Sequence, residues 1–188
     1  MKVVEEFLER RFFDSFYKGL KKEDELLRNL CEKNGVLYKY QHNGISFLYE
    51  TTMVYVVLKQ LMEDGFPLTA DWECPYICNP SLKADLGLLN EAREVDSLVE
   101  FKIWTSEDGS EIRRDVEKYN NCAFEGNKYL CIVELNGGNI SENAKFLLEE
   151  NPEVELLYKD SFESLFKKNS EEALKYVFTH LYMLRMRK

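Results

Sequence analysis

The sequence predicts an α/β (α+β) fold in which helices pack against a central sheet. Apolar residues recur at the helical spacing of three and four residues over the first third of the chain, and strand-like apolar segments begin near residue 68. Hydrophobic residues make up 45% of the 188 residues, and 12 Phe and 11 Tyr provide ample material for a core. We therefore expect one folded domain with an additional element or two.

Three helices are predicted before the first strand. The first covers residues 3–20, and the second covers residues 22–33 and ends at an Asn-Gly pair, a common stop signal. The third covers residues 46–63 and is apolar on nearly every side in its middle, which is typical of a helix covered by other elements. Glu50 is the exception in this helix, because a carboxylate in an apolar segment needs a partner.

Three strands are predicted next, over residues 68–78, 82–89 and 97–105. An Asn-Pro pair separates the first two strands, and the charged segment NEAREVD separates the second from the third. Short connections of this kind favour a three-stranded meander.

The next helix is predicted to begin near Asp108, with Asp108 as N-cap and Glu111 at the capping-box position. It precedes a strand over residues 128–135 (KYLCIVEL), whose poor alternation is typical of a central strand. An Asn136-Gly-Gly turn is expected to end this strand.

The C-terminal segment is predicted to contain a helix over residues 141–150 and a strand over residues 154–158. A long helical tail is expected from Ser161 onward, in one or two pieces, with Asp160 and Glu163 as a second capping box. Extra helices are thus expected at both ends of the chain.

The charge balance limits the partners that the chain can attract. The 25 Lys and Arg residues against 34 Asp and Glu residues give a net charge of −9, so any nucleic-acid contact must be local. The N-terminus carries acidic residues where a signal peptide has a basic region, and no run of about 18 apolar residues occurs. We expect a cytoplasmic protein without membrane association, and the five irregularly spaced cysteines are typical of reduced thiols.

Charged side chains inside two predicted strands are the most informative feature. Lys83 and Asp85 share one face of the second strand, and Glu100 and Lys102 share one face of the third. If these strands pair as a hairpin, Asp85, Glu100 and Lys102 can converge on one surface. Buried charges without partners are costly, so such groups usually have a partner or a metal.

The chemistry of this residue set suits hydrolysis of a phosphodiester. Two carboxylates held close together on rigid strands are hard oxygen ligands for Mg²⁺ or Mn²⁺. A metal bound there lowers the pKa of a water and stabilises negative charge on a phosphate oxygen. A lysine about 7 Å further along the same strand face can orient or help deprotonate the attacking water.

The segments ADLGLL and VEFKIW resemble the Asp…Glu-X-Lys signature of the PD-(D/E)XK nuclease superfamily, which has the restriction-endonuclease-like fold. That fold has an αβββαβ core with a central mixed sheet flanked by helices, which matches the elements predicted for residues 44–135. The resemblance implies that Asp85 and Glu100 bind Mg²⁺ or Mn²⁺. It also implies that the carbonyl of Phe101 is a further ligand and that Lys102 is the catalytic lysine.

The resemblance implies further site residues outside the two strands. Glu50, on the preceding helix, matches in type and place a glutamate that often completes the metal site in this superfamily. Four basic residues are candidates for contacts with nucleic acid, which is DNA more often than RNA in this superfamily: Lys83, Arg113, Arg114 and Lys118. In this interpretation residues 1–43 form an N-terminal helical extension of the core, and residues 136–188 form a C-terminal α/β extension.

Two other interpretations of the same residues stay open. The chain could keep the fold and act as a nucleic-acid-binding or protein-binding module without catalysis, which the acidic net charge favours. The strand charges could also form the salt bridges of a structural α/β protein. A homodimer is a further possibility, because cleavage of both strands of a duplex by this fold usually needs two active sites.

Overall fold

The chain folds into a six-stranded mixed sheet flanked by helices, an α+β architecture. The computed structural model describes residues 2–34, 44–76, 79–104, 110–134, 148–166 and 175–187. Within these ranges the helices are α1 (Lys2–Asn34), α2 (Glu50–Glu63) and α3 (Ser110–Asn120), and a 3-10 turn covers Gly44–Phe47. The strands are β1 (Thr69–Tyr76), β2 (Asn79–Leu89), β3 (Val95–Trp104), β4 (Asn127–Glu134), β5 (Val154–Phe166) and β6 (Lys175–Met186).

The strand order in the sheet is β1-β2-β3-β4-β6-β5. The first three strands form the meander expected from the sequence, and β4 pairs in parallel with β3 after the α3 crossover. β6 lies between β4 and β5 and is antiparallel to both. β4 is therefore an interior strand, as its poor alternation predicted, and its last six residues are all buried.

The two N-terminal helices expected from the sequence are one continuous helix, α1. The charged residues after Leu20 are strong helix formers and include no proline, so the helix continues to Asn34. Phe16 and Leu20 are buried in the core between α1 and the sheet. Gly19 allows the close approach of α1 to α2, because a Cβ atom at Gly19 would lie 3.0 Å from the Cβ atom of Gln60.

The third predicted helix begins later than the sequence indicated. The 3-10 turn occupies Gly44–Phe47, and α2 begins only at Glu50. The backbone N–H of Ile45 donates a hydrogen bond to the buried Asp24 carboxylate at 2.8 Å, which fixes this turn against α1. Glu50 therefore lies in the first turn of α2, where a carboxylate interacts favourably with the helix dipole.

The prediction of a helical C-terminal tail is wrong, because residues 161–166 and 175–186 of this segment form strands. β5 extends through Ser161, and Asp160, Ser161 and Glu163 all pair in register with residues of β6. The apolar run in β6 is compatible with a buried helix or a buried strand when it is considered alone. Pairing with β4 on one side and β5 on the other favours the strand, and both faces of β6 are covered near its end.

Some predicted features lie outside the described residues. These are the N-cap at Asp108, the turn at Asn136 and residues 141–147 of the helix predicted over residues 141–150. Residues 148–150 are helical, in agreement with the predicted end of that helix. The cysteines whose side chains are described form no disulfide and are buried: Cys74, Cys122 and Cys131. Among the described helices, none is long and apolar enough to cross a membrane.

Two hydrophobic clusters cover the two faces of the sheet. The first lies under α1 and α2 and includes Val99 and Phe101, and the second lies under α3 and includes Leu98. Glu100 and Lys102 both form ion pairs with residues of α3. The alternation of β3 therefore places Val99 and Phe101 on the face under α1 and α2 and Glu100 on the face under α3, opposite to them, as the sequence predicted.

Candidate active site

β2 separates from β3 at Asp85, which places this carboxylate at an opening in the sheet. The register of the β2–β3 pair ends at Leu86 with Val99, one residue before Asp85 would face Glu100. On the other side of β2, the pairing with β1 skips Asp85 at the point where Glu73 adopts a left-handed conformation with φ 53°. The Asp85 backbone thus has a register partner on neither neighbouring strand.

The alternation of β2 changes at the same point. Leu86 and Leu88 belong to the cluster under α1 and α2, but Ala84 belongs to the cluster under α3. Strict alternation, on which the assignment of Lys83 and Asp85 to one face depends, would keep Ala84, Leu86 and Leu88 together on the other face, so the alternation predicted for β2 does not hold at Asp85. The irregular pairing at Asp85 rotates the strand between Ala84 and Leu86, and the Asp85 side chain is directed at the backbone of β3.

The Asp85 carboxylate binds the backbone of β3 at the point where β3 no longer pairs with β2. Its Oδ2 atom accepts a hydrogen bond from the backbone N–H of Phe101 at 2.7 Å. The carboxyl group also lies near the side chain of Glu100 and interacts with it electrostatically. Burial raises the pKa of Asp85, and the hydrogen bond from Phe101 opposes the rise without cancelling it.

Glu100 is almost fully buried, with 7% of its side chain exposed. Its Oε1 atom accepts a hydrogen bond from the Tyr76 hydroxyl at 2.5 Å and another from the Lys118 ammonium group. Burial raises the pKa of Glu100 to about 7, although Lys118 and Tyr76 act in the opposite direction. The charge on Asp85 adds to the rise, so the two carboxyl groups titrate as a pair.

Lys102 is held between carboxylates from two helices. Its Nζ atom lies 3.2 Å from Oε1 of Glu50 on α2 and 3.5 Å from Oδ2 of Asp115 on α3. Burial lowers the pKa of Lys102, but Asp115 and Glu50 together outweigh this effect and raise it. Lys102 is therefore a protonated cation with a fixed position near the carboxyl end of β3.

Lys118 is the one of the four predicted nucleic-acid contacts that enters this site. Its Nζ atom bonds to Glu100, donates a hydrogen bond to the backbone carbonyl of Lys83 at 3.1 Å, and lies 5.0 Å from the centre of the Tyr76 ring. Lys118 thus neutralises Glu100 from the α3 side. Its position is fixed by an ion pair, a hydrogen bond and an aromatic ring.

The other three predicted contacts lie around the site. The side chain of Lys83 forms an ion pair with Glu73 at 2.7 Å, and that of Arg113 forms one with Glu150 at 2.9 Å. Arg114 is exposed and lines a cavity of about 520 Å³ next to the site, together with side chains of α3 and β1. Arg114 is therefore the most accessible of the three to a ligand in this cavity.

Two residues of the site were missed by the sequence analysis. Tyr76 lies within the Cys-Pro-Tyr-Ile-Cys segment and looks like a core aromatic, which hides the role of its hydroxyl. Asp115 looks like an ordinary surface acid of α3. A usable signal was present for Asp115, because it precedes Lys118 by three residues and so lies on the same side of the helix.

The donor set fits a divalent cation held by two carboxylates. Asp85 and Glu100 lie together, whereas Glu50 accepts hydrogen bonds from the Ile103 backbone N–H at 3.2 Å and from Lys102 at 3.3 Å. Over the part of the chain that the structure describes, no group of three or more His, Cys, Asp and Glu side chains could hold a metal ion. Mg²⁺ is commonly bound by one or two carboxylates that are completed by water and phosphate oxygens, so the pair suffices chemically.

Comparison of the chain with family models, with curated proteins and with solved structures finds no match. The interpretation of the site therefore depends on its own residues, on their geometry and on their electrostatics.

Proposed function

We propose that the chain is a divalent-metal-dependent nuclease of the PD-(D/E)XK type that hydrolyses phosphodiester bonds, with DNA as the favoured substrate. The observation that carries this proposal is that Asp85 and Glu100 lie together where β2 separates from β3, with Lys102 two residues beyond Glu100 on the same strand. The element order α2-β1-β2-β3-α3-β4 also corresponds to the αβββαβ core of the superfamily whose motif this sequence resembles.

Asp85 and Glu100 are the residues that would hold Mg²⁺ or Mn²⁺. Burial raises the pKa of both acids, so a cation would compete with protons for this pair. A bound cation would supply an acidified water and would neutralise charge on the scissile phosphate. The hydrogen bonds from Phe101 and Tyr76 fix the two carboxyl groups before the substrate arrives.

Lys102 would act on the substrate as a fixed positive charge. Its raised pKa keeps it protonated, so it can orient the attacking water and offset the negative charge that develops on the phosphate. The same protonation makes it a poor acceptor for the proton of that water in the arrangement described here. Glu50 and Asp115 position Lys102 from opposite helices, so they are positioning residues in this mechanism.

One observation favours the second candidate, a non-catalytic binding module. Both lysines of the site already have carboxylate partners within the protein, because Lys118 pairs with Glu100 and Lys102 pairs with Glu50 and Asp115. Such a network satisfies buried charges without a metal. In this alternative the cluster specifies the packing of α2 and α3 on the sheet, and Mn²⁺ should bind with no dependence on Asp85.

The test is incubation of the purified protein with supercoiled plasmid, single-stranded DNA and RNA in Mg²⁺, Mn²⁺ or EDTA. Cleavage should require the metal and should fall about 100-fold or more in Lys102→Ala, the order expected for loss of a preorganised charge. Lys22→Ala is the matched control, because Lys22 forms an exposed ion pair with Glu63 on the helical side of the molecule. Cleavage by Lys102→Ala at the wild-type rate would contradict the proposal.

A further inference from the structure

A cavity of about 440 Å³ lies between α1 and the sheet, on the face opposite the candidate active site. Phe12 of α1 lines it together with Leu88 of β2 and Met183 of β6, and all three belong to the hydrophobic cluster under α1 and α2. Glu100 lies on the other face of the sheet, where it contacts Tyr76 and α3. The cavity has the size of a site for a small molecule, and it is separate from the site proposed for the metal.

One wall of the cavity is aromatic. The rings of Phe12 and Phe66 contact each other edge to face, with centroids 5.9 Å apart and an angle of 71° between the planes. Tyr129 and Leu68 extend this apolar surface. An apolar group inside the cavity, above all a flat ring, would therefore find ring edges and faces to pack on.

The charged part of the lining is acidic. Asp96 and Glu125 are exposed, so they lie at the mouth of the cavity, and the side chain of Glu5 on α1 is 36% exposed. Glu9 is the fourth acid and is buried. Among the described residues that line the cavity, none is Lys or Arg. The lining therefore attracts cations and repels anions.

Glu9 has one oxygen atom to which the protein supplies no donor. Its side chain is 4% exposed, and its Oε1 atom accepts hydrogen bonds from the Tyr129 hydroxyl at 2.8 Å and from Nη1 of Arg185 at 2.8 Å. The Arg185 guanidinium also bonds to Glu155 at 3.0 Å and lies 3.9 Å from Glu5, so three acids share one positive charge. In the described part of the chain, no group donates a hydrogen bond to Oε2 of Glu9. A buried carboxylate oxygen without a donor is costly, so a donor from a ligand would be favourable there.

The two parts of the lining together favour one class of ligand. An ammonium group carries three N–H donors, so it can bond to Oε2 of Glu9 and lie near the other acids. An apolar group on the same molecule would cover the rings of Phe12 and Phe66. A ligand of the same shape with a carboxylate would be repelled, and a neutral one would leave the negative charge of the lining without a counter-charge.

We infer that this cavity binds a small organic amine, with the ammonium group at Glu9 and the apolar group against Phe12 and Phe66. The inference goes beyond the proposed function, because it assigns a second site, with a different ligand, on the opposite face of the sheet. Neither a metal nor nucleic acid takes part in it. Nuclease activity can therefore be absent without affecting this site, and the reverse also holds.

The test is an NMR titration of the isotope-labelled protein with phenethylamine, which joins one ring to one ammonium group. Phenethyl alcohol and hydrocinnamate serve as the neutral and the anionic probe of similar shape. The amine should bind with a Kd of about 1 mM, the order expected for a ligand of about nine non-hydrogen atoms. It should shift the amide signals of Gly126 and Asn127, which line the cavity. The alcohol should bind at least tenfold more weakly, and hydrocinnamate should not bind.

Three variants locate the site. Glu9→Gln keeps an acceptor for the Tyr129 hydroxyl but removes the charge, so the affinity for the amine should fall about tenfold or more. Asp96→Asn combined with Glu125→Gln changes exposed acids alone and should weaken binding several-fold. Leu8→Trp fills part of the cavity without changing any charge, so it should abolish binding.

Glu163→Gln is the matched control, because Glu163 is exposed on β5, about 17 Å along the β5–β6 pair from Met183. It should bind the amine as wild type does, and circular dichroism should show that all variants are folded. Absence of amine binding, binding of hydrocinnamate, or equal affinity for the amine and the alcohol would overturn the inference. Wild-type affinity in both Leu8→Trp and the Asp96–Glu125 double variant would overturn it as well, even if Glu9→Gln does not fold. Amine binding that depends on these residues would support it, whether or not the protein cleaves nucleic acid.

Discussion

The carboxyl groups of Asp85 and Glu100 lie close enough to influence each other's charge at the point where β2 separates from β3. Each group also has a fixed donor, which is the Phe101 backbone N–H for Asp85 and the Tyr76 hydroxyl for Glu100. Burial raises the pKa of both acids, to about 7 for Glu100. A buried pair of this kind carries a cost in stability above neutral pH that a bound cation would relieve.

Glu100→Gln is expected to flatten the pH dependence of stability. The pKa of Glu100 is about 7 in the folded protein against an ordinary value of 4.5, so the folded state binds more protons than the unfolded state between these values. Its contribution to the free energy of unfolding is complete below pH 4.5 and is lost as the pH rises through about 7. The change in the free energy of unfolding between low and high pH should be about 1–3 kcal/mol smaller in the variant than in wild type. Urea unfolding across the pH range measures this change.

Glu134 on β4 provides the matched control for that experiment. Burial raises its pKa to about 7 as well, and it lies near Tyr182 and Lys159, away from Asp85. Glu134→Gln should flatten the same pH dependence but leave metal binding unchanged. If the free energy of unfolding of Glu100→Gln changed with pH as much as that of wild type, the Glu100 carboxyl would not be buried as described.

The metal affinities of two conservative variants should differ. Asp85→Asn removes a carboxylate but keeps an acceptor for the Phe101 N–H, so Mn²⁺ binding measured by calorimetry should fall by about tenfold or more. Glu50→Gln should change the Mn²⁺ affinity much less, because Glu50 is directed at Lys102 and the Ile103 N–H. Equal losses in both variants would show that Glu50 is a metal ligand, as the sequence motif implied.

The central part of the fold could be predicted from the sequence because local patterns agree with the final packing there. The alternation of β3 assigns Glu100 and Lys102 to one face, and the same face pairs with α3. The meander and the interior position of β4 also follow from short connections and from an uninterrupted apolar run.

The remainder could not be predicted, because long-range pairing decides it. The apolar segment of β6 is ambiguous by itself, and only its neighbours β4 and β5 make it a strand. The hydroxyl of Tyr76 enters the site through a tertiary contact that leaves no mark on local spacing, and the spacing of Asp115 to Lys118 does not reveal its contact with Lys102 on β3. The rotation of β2 at Asp85 depends likewise on the conformation of Glu73 on a neighbouring strand.

Lys118→Met is expected to increase the affinity for Mn²⁺. The Lys118 ammonium group is bonded to Glu100, so it occupies a carboxylate oxygen that a cation would need and repels the cation as well. Removal of this charge should increase the Mn²⁺ affinity several-fold in calorimetry. The Mn²⁺ affinity should also depend more steeply on pH than in wild type. Arg113→Met is the control on the same helix, because Arg113 pairs with Glu150 instead of with an acid of the site. A loss of affinity in Lys118→Met would contradict this description of the ion pair.

Gly87→Ala should destabilise the protein without touching any charged group of the site. Gly87 follows Leu86 in β2, and a Cβ atom there would lie 2.5 Å from Sγ and 2.8 Å from Cβ of Cys74 on β1. Overpacking of this kind costs about 1–3 kcal/mol in the free energy of unfolding, since β1 and β2 must move apart. Cys74→Ala removes the sulfur but keeps its Cβ atom, so the double variant should recover part of the loss in a thermodynamic cycle measured by urea unfolding. If Gly87→Ala unfolds at the wild-type urea concentration, the two strands are not as close at this position as the structure describes.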